Sequence, residues 1–505
     1  MRKCLAILLL FMLFVSAAAA ETVQKAPDFI MEGYDGDGSN HVWESNLFFE
    51  RMQERTGVSF QFRQFSDYEG WTERKKALQE GEDLPDVLFK AGLTPSETGR
   101  LYAGGIIIDL KPYLAEYAPT LWGLLESHPD WMAAITLEDG SIPALPAFNE
   151  LPNNDAVWIN TDWLKAVKME MPSDAETLTE VLRAFKTGDP NRNGKADEVP
   201  LTFIGMWELR FLGHAFGMID NDYYMTLQED GKVVSHLKTD ENRAFLTWLH
   251  SLWQEDLLDH RGFSNVDSLR QITDGKAAIP YGVMLSTTPL TVVPSEALNQ
   301  YSLLPPLTWQ GERIYRDLLG DVIRGTFAIT RECKEPEKLV AWVDYLYTEE
   351  GSRLAQSGKE GEEYVWNEDG YWEWMNDATT VANVTLPQAT IGEGGSAPGY
   401  MKADFQLKYS DAQARRMIEM LAELKSYARL PYPFVTLSET DAARISELQR
   451  GIASYAEETM ATFVTGDTEL NDDTWAEFCR KLDELGLEEM TALWQKYADA
   501  RKVSE

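Results

Sequence analysis

The chain has 505 residues, too many for one ordinary core, so we expect two or three domains. Its 46 Lys and Arg residues against 82 Asp and Glu residues give a formal net charge of −36. So acidic a chain is repelled by phosphate backbones and anionic lipid, which excludes nucleic acid and membrane surfaces as main partners. Apolar residues make up 44% and charged residues 25%, which excludes a wholly disordered or fibrous protein.

The first twenty residues have the pattern of an export signal. Arg2 and Lys3 precede an apolar stretch at residues 5–15, and the alanines at 18–20 form a small-residue cleavage site. A stretch of this length cannot span a bilayer, which needs about 20 residues. Cys4 precedes the apolar stretch, so cleavage leaves no cysteine to carry a lipid. We therefore expect residues 1–20 to be a signal peptide and the mature chain to be periplasmic or secreted.

Two cysteines remain after cleavage, Cys333 and Cys479, and two are no disulfide framework. Cys479 shares a predicted helical face with Trp475, Phe478 and Leu482, which favours a buried free thiol. A bridge between Cys333 and Cys479 is the alternative.

Strands and helices alternate along the first half of the chain, which predicts parallel sheets covered by helices. Strands are predicted at 27–31, 58–65, 86–89, 156–160 and 277–281, and helices at 41–55, 69–79 and from 162 onward. The glycine-rich segment 392–399 predicts a loop or hinge.

The C-terminal third is helical in pattern. Ser438 with Asp441, and Thr474 with Glu477, have the spacing of capping boxes that open helices. After the first of these boxes, a stripe with helical spacing predicts a core-facing surface; its members are Ile445, Leu448, Ile452 and Tyr455.

The sharpest local signal is an acidic, amide-rich loop at residues 189–198. Oxygen-bearing side chains occupy positions 1, 3 and 5, glycine occupies position 6, and carboxylates follow at 9 and 10, as in an EF-hand-type loop. The predicted Ca²⁺ ligands are Asp189, Asn191, Asn193, Lys195 through its backbone carbonyl, Asp197 and Glu198. Pro200 occupies position 12, so Glu198 must replace the usual bidentate glutamate. The alternative is an Asn/Asp/Gly turn without an ion.

Signatures of catalysis are absent from the sequence. There is no Gly-x-Ser-x-Gly elbow and no His-Glu-x-x-His helix, and the six histidines are scattered. A glycosidase needs only two carboxylates, so the sequence neither supports nor excludes that chemistry. The 57 aromatic residues are a more informative feature, because ring faces pack on the C–H faces of sugars. Those expected near strand ends or in loops are Trp43, Trp158, Trp207, Tyr281, Trp366, Trp372 and Tyr400.

Several segments together resemble a known family. Residues 157–165 read Val-Trp-Ile-Asn-Thr-Asp-Trp-Leu-Lys, and they are followed by Met171-Pro172-Ser173 and by the acidic loop. This arrangement is similar to the large family-1 extracellular solute-binding proteins of ABC importers, in the branch of the alginate-oligosaccharide-binding proteins. Supporting matches occur in chain order at 56–58, 84–87, 349–352, 361–364, 463–466 and 485–486. The basic pair frequent in that family before Asp-Trp-Leu is Asn160-Thr161 here, so an anionic sugar is not implied.

The resemblance implies an α/β fold of the periplasmic-binding-protein type, a two-lobed clamshell whose lobes are mainly parallel sheets flanked by helices, with extra C-terminal helices. We expect residues 21–150 and 321–370 in the first lobe and residues 151–320 and 371–505 in the second. Hinge crossings are expected near 149–160, 319–327 and 372–400. The resemblance also implies a structural Ca²⁺ ion, a carbohydrate ligand and a membrane permease as partner, with the protein a monomer that is not an enzyme.

Residues expected to touch the ligand are Trp158, Trp207, Tyr281, Arg324 and Tyr400, with Trp43, Trp366 and Trp372 as further candidates. Arg324 lies within the predicted crossing at 319–327, where its fork of donors can hold hydroxyl groups or a carboxylate. An ion pair with Asp317 or Asp321 is the alternative fate of this arginine. Two other functions remain open at this point, namely an exported glycan-active enzyme and an adhesin that holds polymeric glycan.

Overall fold

The structure is a computed structural model that describes residues 27–36, 41–151, 155–264, 268–278, 281–318, 320–375, 386–392, 397–435 and 437–502. The predicted signal peptide lies outside these residues. Within the described ranges, no helix is long and apolar enough to cross a membrane.

The secondary structure follows in chain order. The first part contains β1 (Phe29–Tyr34), α1 (Leu47–Thr56), β2 (Phe60–Phe65), α2 (Tyr68–Gln79), β3 (Val87–Phe89), α3 (Pro95–Ala103), α4 (Lys111–Tyr117), α5 (Pro119–Ser127), α6 (Pro129–Ile135) and β4 (Leu145–Asn149). The middle contains β5 (Ala156–Asn160), α7 (Thr161–Val167), α8 (Ala175–Thr187), β6 (Val199–Thr202), α9 (Gly205–Leu209), β7 (Met225–Leu227), β8 (Val233–Ser235), α10 (Asp240–Gln254), α11 (Ser268–Ala278), β9 (Tyr281–Ser286), α12 (Pro289–Val292), β10 (Tyr301–Leu303) and β11 (Tyr315–Arg316).

The last part begins with the return of the chain to the first sheet. It contains β12 (Val322–Ile329), α13 (Pro336–Asp344), α14 (Glu349–Ser357), β13 (Tyr364–Trp366), β14 (Trp372–Trp374), α15 (Leu386–Ala389), β15 (Gly399–Met401), α16 (Ala403–Gln406), α17 (Ala412–Lys425), β16 (Ala428–Arg429), α18 (Glu439–Thr465), α19 (Asp472–Glu484) and α20 (Leu487–Lys502).

Helix starts follow from local side-chain caps. Asp67 accepts a hydrogen bond from the Gly70 amide at the start of α2, and Asn160 caps α7 in the same way. Complete capping boxes open α3 at Thr94 and α8 at Asp174. Because these caps satisfy backbone donors that the helix leaves free, they fix where each helix begins beside the strand that precedes it.

The first lobe is built on a six-stranded mixed sheet in the order β15-β4-β12-β3-β1-β2. Strands β1, β2 and β3 are parallel, whereas β12 is antiparallel to both β3 and β4. The second lobe is built on a four-stranded sheet in the order β10-β5-β9-β6, in which β5 is antiparallel to both neighbours. The α/β class and the C-terminal helices are thus confirmed, although both sheets are mixed.

The C-terminal helices belong to the core of the second lobe. The predicted stripe on α18 faces inward, with Ile445, Leu448 and Ile452 buried and Tyr455 partly buried in the same cluster. Ser438 caps α18, as expected. Thr474 does not begin a helix, because Asn471 is the capping residue of α19 and Thr474 is its partner three positions later.

Three crossings connect the lobes at the carboxyl edges of both sheets. The chain leaves the carboxyl end of β4 and enters β5, which starts at the edge where the antiparallel β9 ends. The second crossing joins β10 to β12, and the third follows β15. The carboxyl ends of the central strands therefore face each other across the space between the lobes, where open α/β sheets bind ligands.

Three sequence expectations need correction. Residues 277–278 end α11 rather than beginning a strand, so Tyr281 is the first residue of β9 and not the last of its strand. The return to the first lobe extends past residue 370, because Gly399–Met401 pairs with β4 and moves the third crossing beyond residue 401. Cys333 and Cys479 are both free thiols in different cores, so the alternative of a bridge is wrong.

Candidate functional site

An exposed indole lies at the carboxyl edge of the second sheet. Helix α9 directly follows β6, and it presents Trp207 with 46% of its surface exposed. Isolated exposed tryptophans are uncommon because the ring carries a large apolar surface. Its position beside the crossings makes it the most accessible large ring on this edge that the sequence predicted.

Two carboxyl groups accompany Trp207. Glu208 is 3% exposed and accepts a hydrogen bond of 2.6 Å from the Ile204 amide. Burial, with a contribution from the nearby Asp155, raises the pKa of Glu208 to about 8, against the opposing effects of the Ile204 hydrogen bond and of Arg270. Burial also raises the pKa of Asp155, which accepts a 3.3 Å hydrogen bond from the Thr287 hydroxyl. Such groups offer hydrogen bonds to a polar ligand that excludes water from the edge.

From the first lobe, Arg324 projects at the start of β12. The pairing of β12 with β4 shifts register between Ile323 and Phe327, which marks a bulge. Gly325 within it has a φ of +69°, and a Cβ there would lie 2.1 Å from the Leu93 carbonyl oxygen, so only glycine fits. Bulges of this kind redirect neighbouring side chains at functional sites.

The guanidinium of Arg324 is partly buried and has no carboxylate beside it among the described residues. It lies 4.7 Å from the centroid of the Phe434 ring, and among the described residues no hydrogen bond or ion pair holds it. Burial lowers the pKa of Arg324 to about 10, with Tyr223 opposing the shift, so the group stays charged at neutral pH. An arginine in this state keeps its donors for another molecule.

The alternative prediction, an ion pair of Arg324 with Asp317 or Asp321, is wrong, because Lys425 is paired with both of these acids. Lys425 lies 3.0 Å from the Asp317 carboxylate and 2.7 Å from that of Asp321. By contrast, Arg210 and Arg316 are both paired with Asp220, at 2.8 and 3.3 Å. Arg324 therefore differs from Arg210 and Arg316 in having no acidic partner in the part of the chain that the structure describes.

The two halves of the site face each other. Helix α3, which follows β3 of the first lobe, contacts α18 of the second, and α18 contacts α9. Arg324 of the first sheet meets Phe434, which belongs to the segment between β16 and α18. Trp207 thus lies at the carboxyl edge of the second sheet, and Arg324 lies at the edge of the first sheet where β4 ends.

Three of the expected ligand contacts are core residues. Trp43 packs against Phe49, Phe62 and Phe89 in the first lobe and is 1% exposed. Trp158 is fully buried, and its indole nitrogen donates a 2.9 Å hydrogen bond to the Ser286 carbonyl. Tyr281 is also fully buried. These three rings present no surface to a ligand.

The remaining predicted aromatics gather at the third crossing, away from Trp207. Trp372 and Tyr400 line a cavity of about 250 Å³, and Trp366 reaches its wall by packing against Phe405 at 6.0 Å. The Tyr400 hydroxyl donates a hydrogen bond to Glu150 of the first crossing, and the Ala403 amide donates to the same carboxylate at 2.9 Å. The Glu150 carboxylate therefore connects the first crossing to the third by hydrogen bonds.

Sequence reasoning missed several residues of the site. Asp155 and Glu208 carry no motif, although each directly adjoins a predicted strand end or a predicted contact. Tyr34 and Tyr68 lie at the carboxyl ends of β1 and β2, with ring centroids 6.0 Å apart, and Tyr68 is 60% exposed. Only the parallel pairing of these two strands places both rings at the edge of the first lobe that faces the crossings.

The predicted Ca²⁺ loop joins α8 to β6 at the opposite edge of the second sheet from Trp207. Its polar side chains converge, since the Asn191 and Asn193 amides donate to Asp197 at 3.2 and 2.9 Å. The backbone amides of Asn193 and Gly194 donate hydrogen bonds to the Asp189 carboxylate. Gly194 has a φ of +73°, the turn that the sixth position of such a loop requires.

One acceptor in the loop lacks a donor. Glu198 Oε1 is buried and has no hydrogen-bond partner among the described residues. Burial raises the pKa of Glu198, and the Asp197 and Asp189 carboxylates add to the shift. Among the described residues, no cluster of three His, Cys, Asp or Glu side chains is assembled to hold a metal. The loop instead combines carboxylate, amide and carbonyl oxygens, a donor set suited to Ca²⁺.

Comparison with known proteins identifies the class. No family model matches the chain. The fructooligosaccharide ABC transporter substrate-binding protein FusA of Streptococcus pneumoniae is 27% identical over 492 residues, which cover 91% of this chain and 88% of FusA. A FusA structure in complex with kestose superposes with a TM-score of 0.76 at 26% identity, covering 94% of this chain and all of the other.

More distant structures share the fold. A human-milk-oligosaccharide-binding protein from Bifidobacterium longum infantis gives a TM-score of 0.79 at 20% identity, and the alginate-binding protein AlgQ2 gives 0.69 at 20%. Each alignment covers 94% of this chain and 98% of the other. The chain is a solute-binding protein of the ABC-importer type. It is similar to FusA over most of its length and shares the fold of AlgQ2, and it is an extracytoplasmic binding component rather than an enzyme.

Proposed function

We propose that this protein captures a neutral oligosaccharide of the fructooligosaccharide type between its lobes and delivers it to a membrane permease. The observation that carries the proposal is the charged Arg324, which has no acidic partner among the described residues, at the carboxyl edge of the first sheet, together with the exposed Trp207 at the carboxyl edge of the second. Sugars need both an apolar ring face and hydrogen-bond donors for their hydroxyl groups. The relation to FusA, which was solved with kestose, supports the ligand class.

Each wall has a defined role in this proposal. Trp207 stacks on one sugar ring, Glu208 and Asp155 accept hydrogen bonds from its hydroxyl groups, and Arg324 donates to ring or hydroxyl oxygens. Tyr34 and Tyr68 extend the aromatic surface on the first lobe. Because burial raises the pKa of Glu208 to about 8, its carboxyl group is protonated below that pH and can then also donate a hydrogen bond to the ligand.

Isothermal titration of the mature chain with kestose, nystose and human-milk oligosaccharides tests the proposal. We expect one kestose or nystose per chain and no product on chromatography of the incubated sugars. Binding to long polymer with none to short oligosaccharide would favour an adhesin instead. No binding to any oligosaccharide at millimolar concentration would overturn the ligand class.

For the second sheet we propose a structural Ca²⁺ ion held by Asp189, Asn191, Asn193, Asp197, Glu198 and the Lys195 carbonyl. The orphan Glu198 oxygen and the convergence of the amides support it. A FusA EF-hand mutant has been solved with fructo-nystose, which shows that such a loop occurs in a relative. The ion joins α8 to β6 far from Trp207, so it stabilises the lobe without touching the ligand.

For localisation we propose export without lipid attachment and a monomeric state. The position of Cys4 before the apolar stretch supports release rather than anchoring. Recovery of the protein from the membrane fraction, with a lipid-modified peptide on mass spectrometry, would contradict this.

A further inference from the structure

A proline-rich segment between β16 and α18 contacts both lobes. Residues 430–434 read Leu-Pro-Tyr-Pro-Phe, and we call them the strap. Proline fixes its own φ at about −65° and disfavours a helical conformation in the residue before it, so two alternate prolines stiffen a short segment. The strap is therefore suited to hold two parts of the molecule in a fixed relation rather than to act as a flexible linker.

The centre of the strap is anchored in the second lobe. The Tyr432 hydroxyl donates a 2.6 Å hydrogen bond to the Trp494 carbonyl, and its ring is buried in the core cluster of that lobe. The Leu227 amide donates a 2.8 Å hydrogen bond to the Pro431 carbonyl. Val435, the residue directly after the strap, packs against the same core cluster. The strap therefore moves with the second lobe.

Phe434, the last residue of the strap, packs instead against the first lobe. Its ring is partly buried against the core cluster built on the first sheet. The guanidinium of Arg324, from β12 of that sheet, lies over the same ring with 4.7 Å to its centroid. A ring carried by the second lobe is thus held by an apolar surface and a cation of the first.

The strap also lies against the second crossing. A Cβ built on Gly320 would lie 3.3 Å from the Phe434 ring and 3.4 Å from the Leu430 side chain, so both ends of the strap are close to this glycine. Gly320 has a φ of +57°, a conformation that glycine adopts without strain. A stiff segment therefore rests on the place where the chain passes from one lobe to the other.

These contacts connect the lobes in addition to the three crossings. Because Phe434 lies beside a crossing, it is close to the axis about which lobes joined there must rotate, so its contact with the first lobe can persist while contacts farther away separate. We propose that the strap is a pivot that confines the movement of the lobes to one axis, with Phe434 seated in the first lobe. This inference rests on the proposed function only in that the lobes move relative to each other.

Pulsed electron-spin resonance measures the distance between the lobes. Spin labels are attached at two exposed positions, Lys76→Cys on α2 and Lys165→Cys on α7, in the ligand-free mature chain. Cys479→Ala leaves the buried Cys333 as the native thiol of this chain. We expect one narrow distance peak, and Phe434→Ala should broaden it at least about twofold because the lobes lose the contact that confines their rotation.

Tyr455→Ala is the matched control, because this ring is also partly buried but packs on Phe478, at 5.8 Å, within the second lobe. Its distance peak should equal that of the native chain. Pro433→Gly keeps the Phe434 ring and loosens the strap, so it should also broaden the peak. If Phe434→Ala does not fold, as judged by its melting curve, Pro433→Gly decides the question.

A peak of native width in both Phe434→Ala and Pro433→Gly would overturn the inference, as would equal broadening in Tyr455→Ala. Failure of the proposed function has a different signature. Kestose would then not bind the native chain, whereas the width of the ligand-free peak would still depend on Phe434.

Discussion

Arg324 lies over the ring of Phe434, with 4.7 Å between the guanidinium carbon and the ring centroid, at the point where the two lobes meet. The two acids nearest to it in sequence, Asp317 and Asp321, are both held by Lys425. One lysine on α17 thus removes the counter-charges that Arg324 would otherwise use. A partly buried cation without an acidic partner keeps its donors for a ligand rich in oxygen atoms.

Replacing Arg324 by glutamine should lower kestose affinity by about ten- to a hundredfold, since a charge-assisted hydrogen bond contributes about 1.5–3 kcal/mol. The melting temperature should change little, because no described acid loses a partner. Titration calorimetry and a thermal melt measure the two effects. Arg331, just beyond the other end of β12, provides the control, and Arg331→Gln should leave affinity unchanged. An Arg324→Gln protein with native affinity would remove this residue from the site.

Glu208 should make stability depend on pH. Its pKa is raised from 4.5 to about 8 in the folded protein, so the folded state binds the proton more tightly than the unfolded state. The free energy of unfolding therefore falls as pH rises from about 4.5 to about 8. Glu208→Gln should abolish that loss and be more stable than the native chain at pH 9 by up to a few kcal/mol.

Denaturant unfolding at pH 5 and pH 9 measures this effect. Glu180→Gln, on the exposed face of α8, is the control and should retain the native pH dependence. If the free energy of unfolding of Glu208→Gln falls between pH 5 and pH 9 as much as that of the native chain, ionisation of Glu208 does not destabilise the fold.

Removing Ca²⁺ with EDTA should lower the melting temperature. A Ca²⁺ ion that binds only the folded loop would stabilise the fold by about 2.7 kcal/mol at a hundredfold excess over its Kd. Asp189→Ala should mimic EDTA and abolish its further effect. Kestose affinity well below the melting temperature should stay within about threefold, because the loop and Trp207 lie at opposite edges of the sheet. Identical melting curves with EDTA and with Ca²⁺ would contradict the metal assignment.

Lys425→Met should destabilise the protein by about 2 kcal/mol, because the buried Asp317 loses its charged partner. Lys496→Met removes a surface pair with Asp441 and should cost less than about 1 kcal/mol. Chemical denaturation of the two variants compares these costs directly. Equal effects would mean that the Lys425 pair is no more important than a surface pair.

Local sequence patterns correctly predicted those strands and loops whose structure depends mainly on residues close in the chain. The β5 strand at 156–160 and the spacing of the acidic loop depend on short-range periodicity, and β5 was predicted with its observed limits. Trp207 and Arg324 were predicted as contacts from their places near a strand end and a crossing. Both lie at the sheet edges from which the crossings run, although their contact with a ligand stays a prediction.

Long-range packing explains the failures. Trp158 and Tyr281 lie in a cluster that α17 completes with Met417 and Leu424, well over a hundred residues further along the chain. No local pattern around β5 indicates that a distant helix covers this face. The third crossing was placed too early because β15 has only three residues and follows a glycine-rich segment, so it has no strand periodicity to detect.

Small-angle scattering and calorimetry on one sample, the mature chain with and without kestose, test the central claim most directly. We expect one kestose per chain to bind with a measurable decrease in radius of gyration as the lobes close, and we expect Arg324→Gln to abolish both at the same ligand concentration. Two results would contradict capture between the lobes. One is that neither kestose nor its longer homologues bind at millimolar concentration, and the other is that they bind Arg324→Gln equally well without any change in scattering.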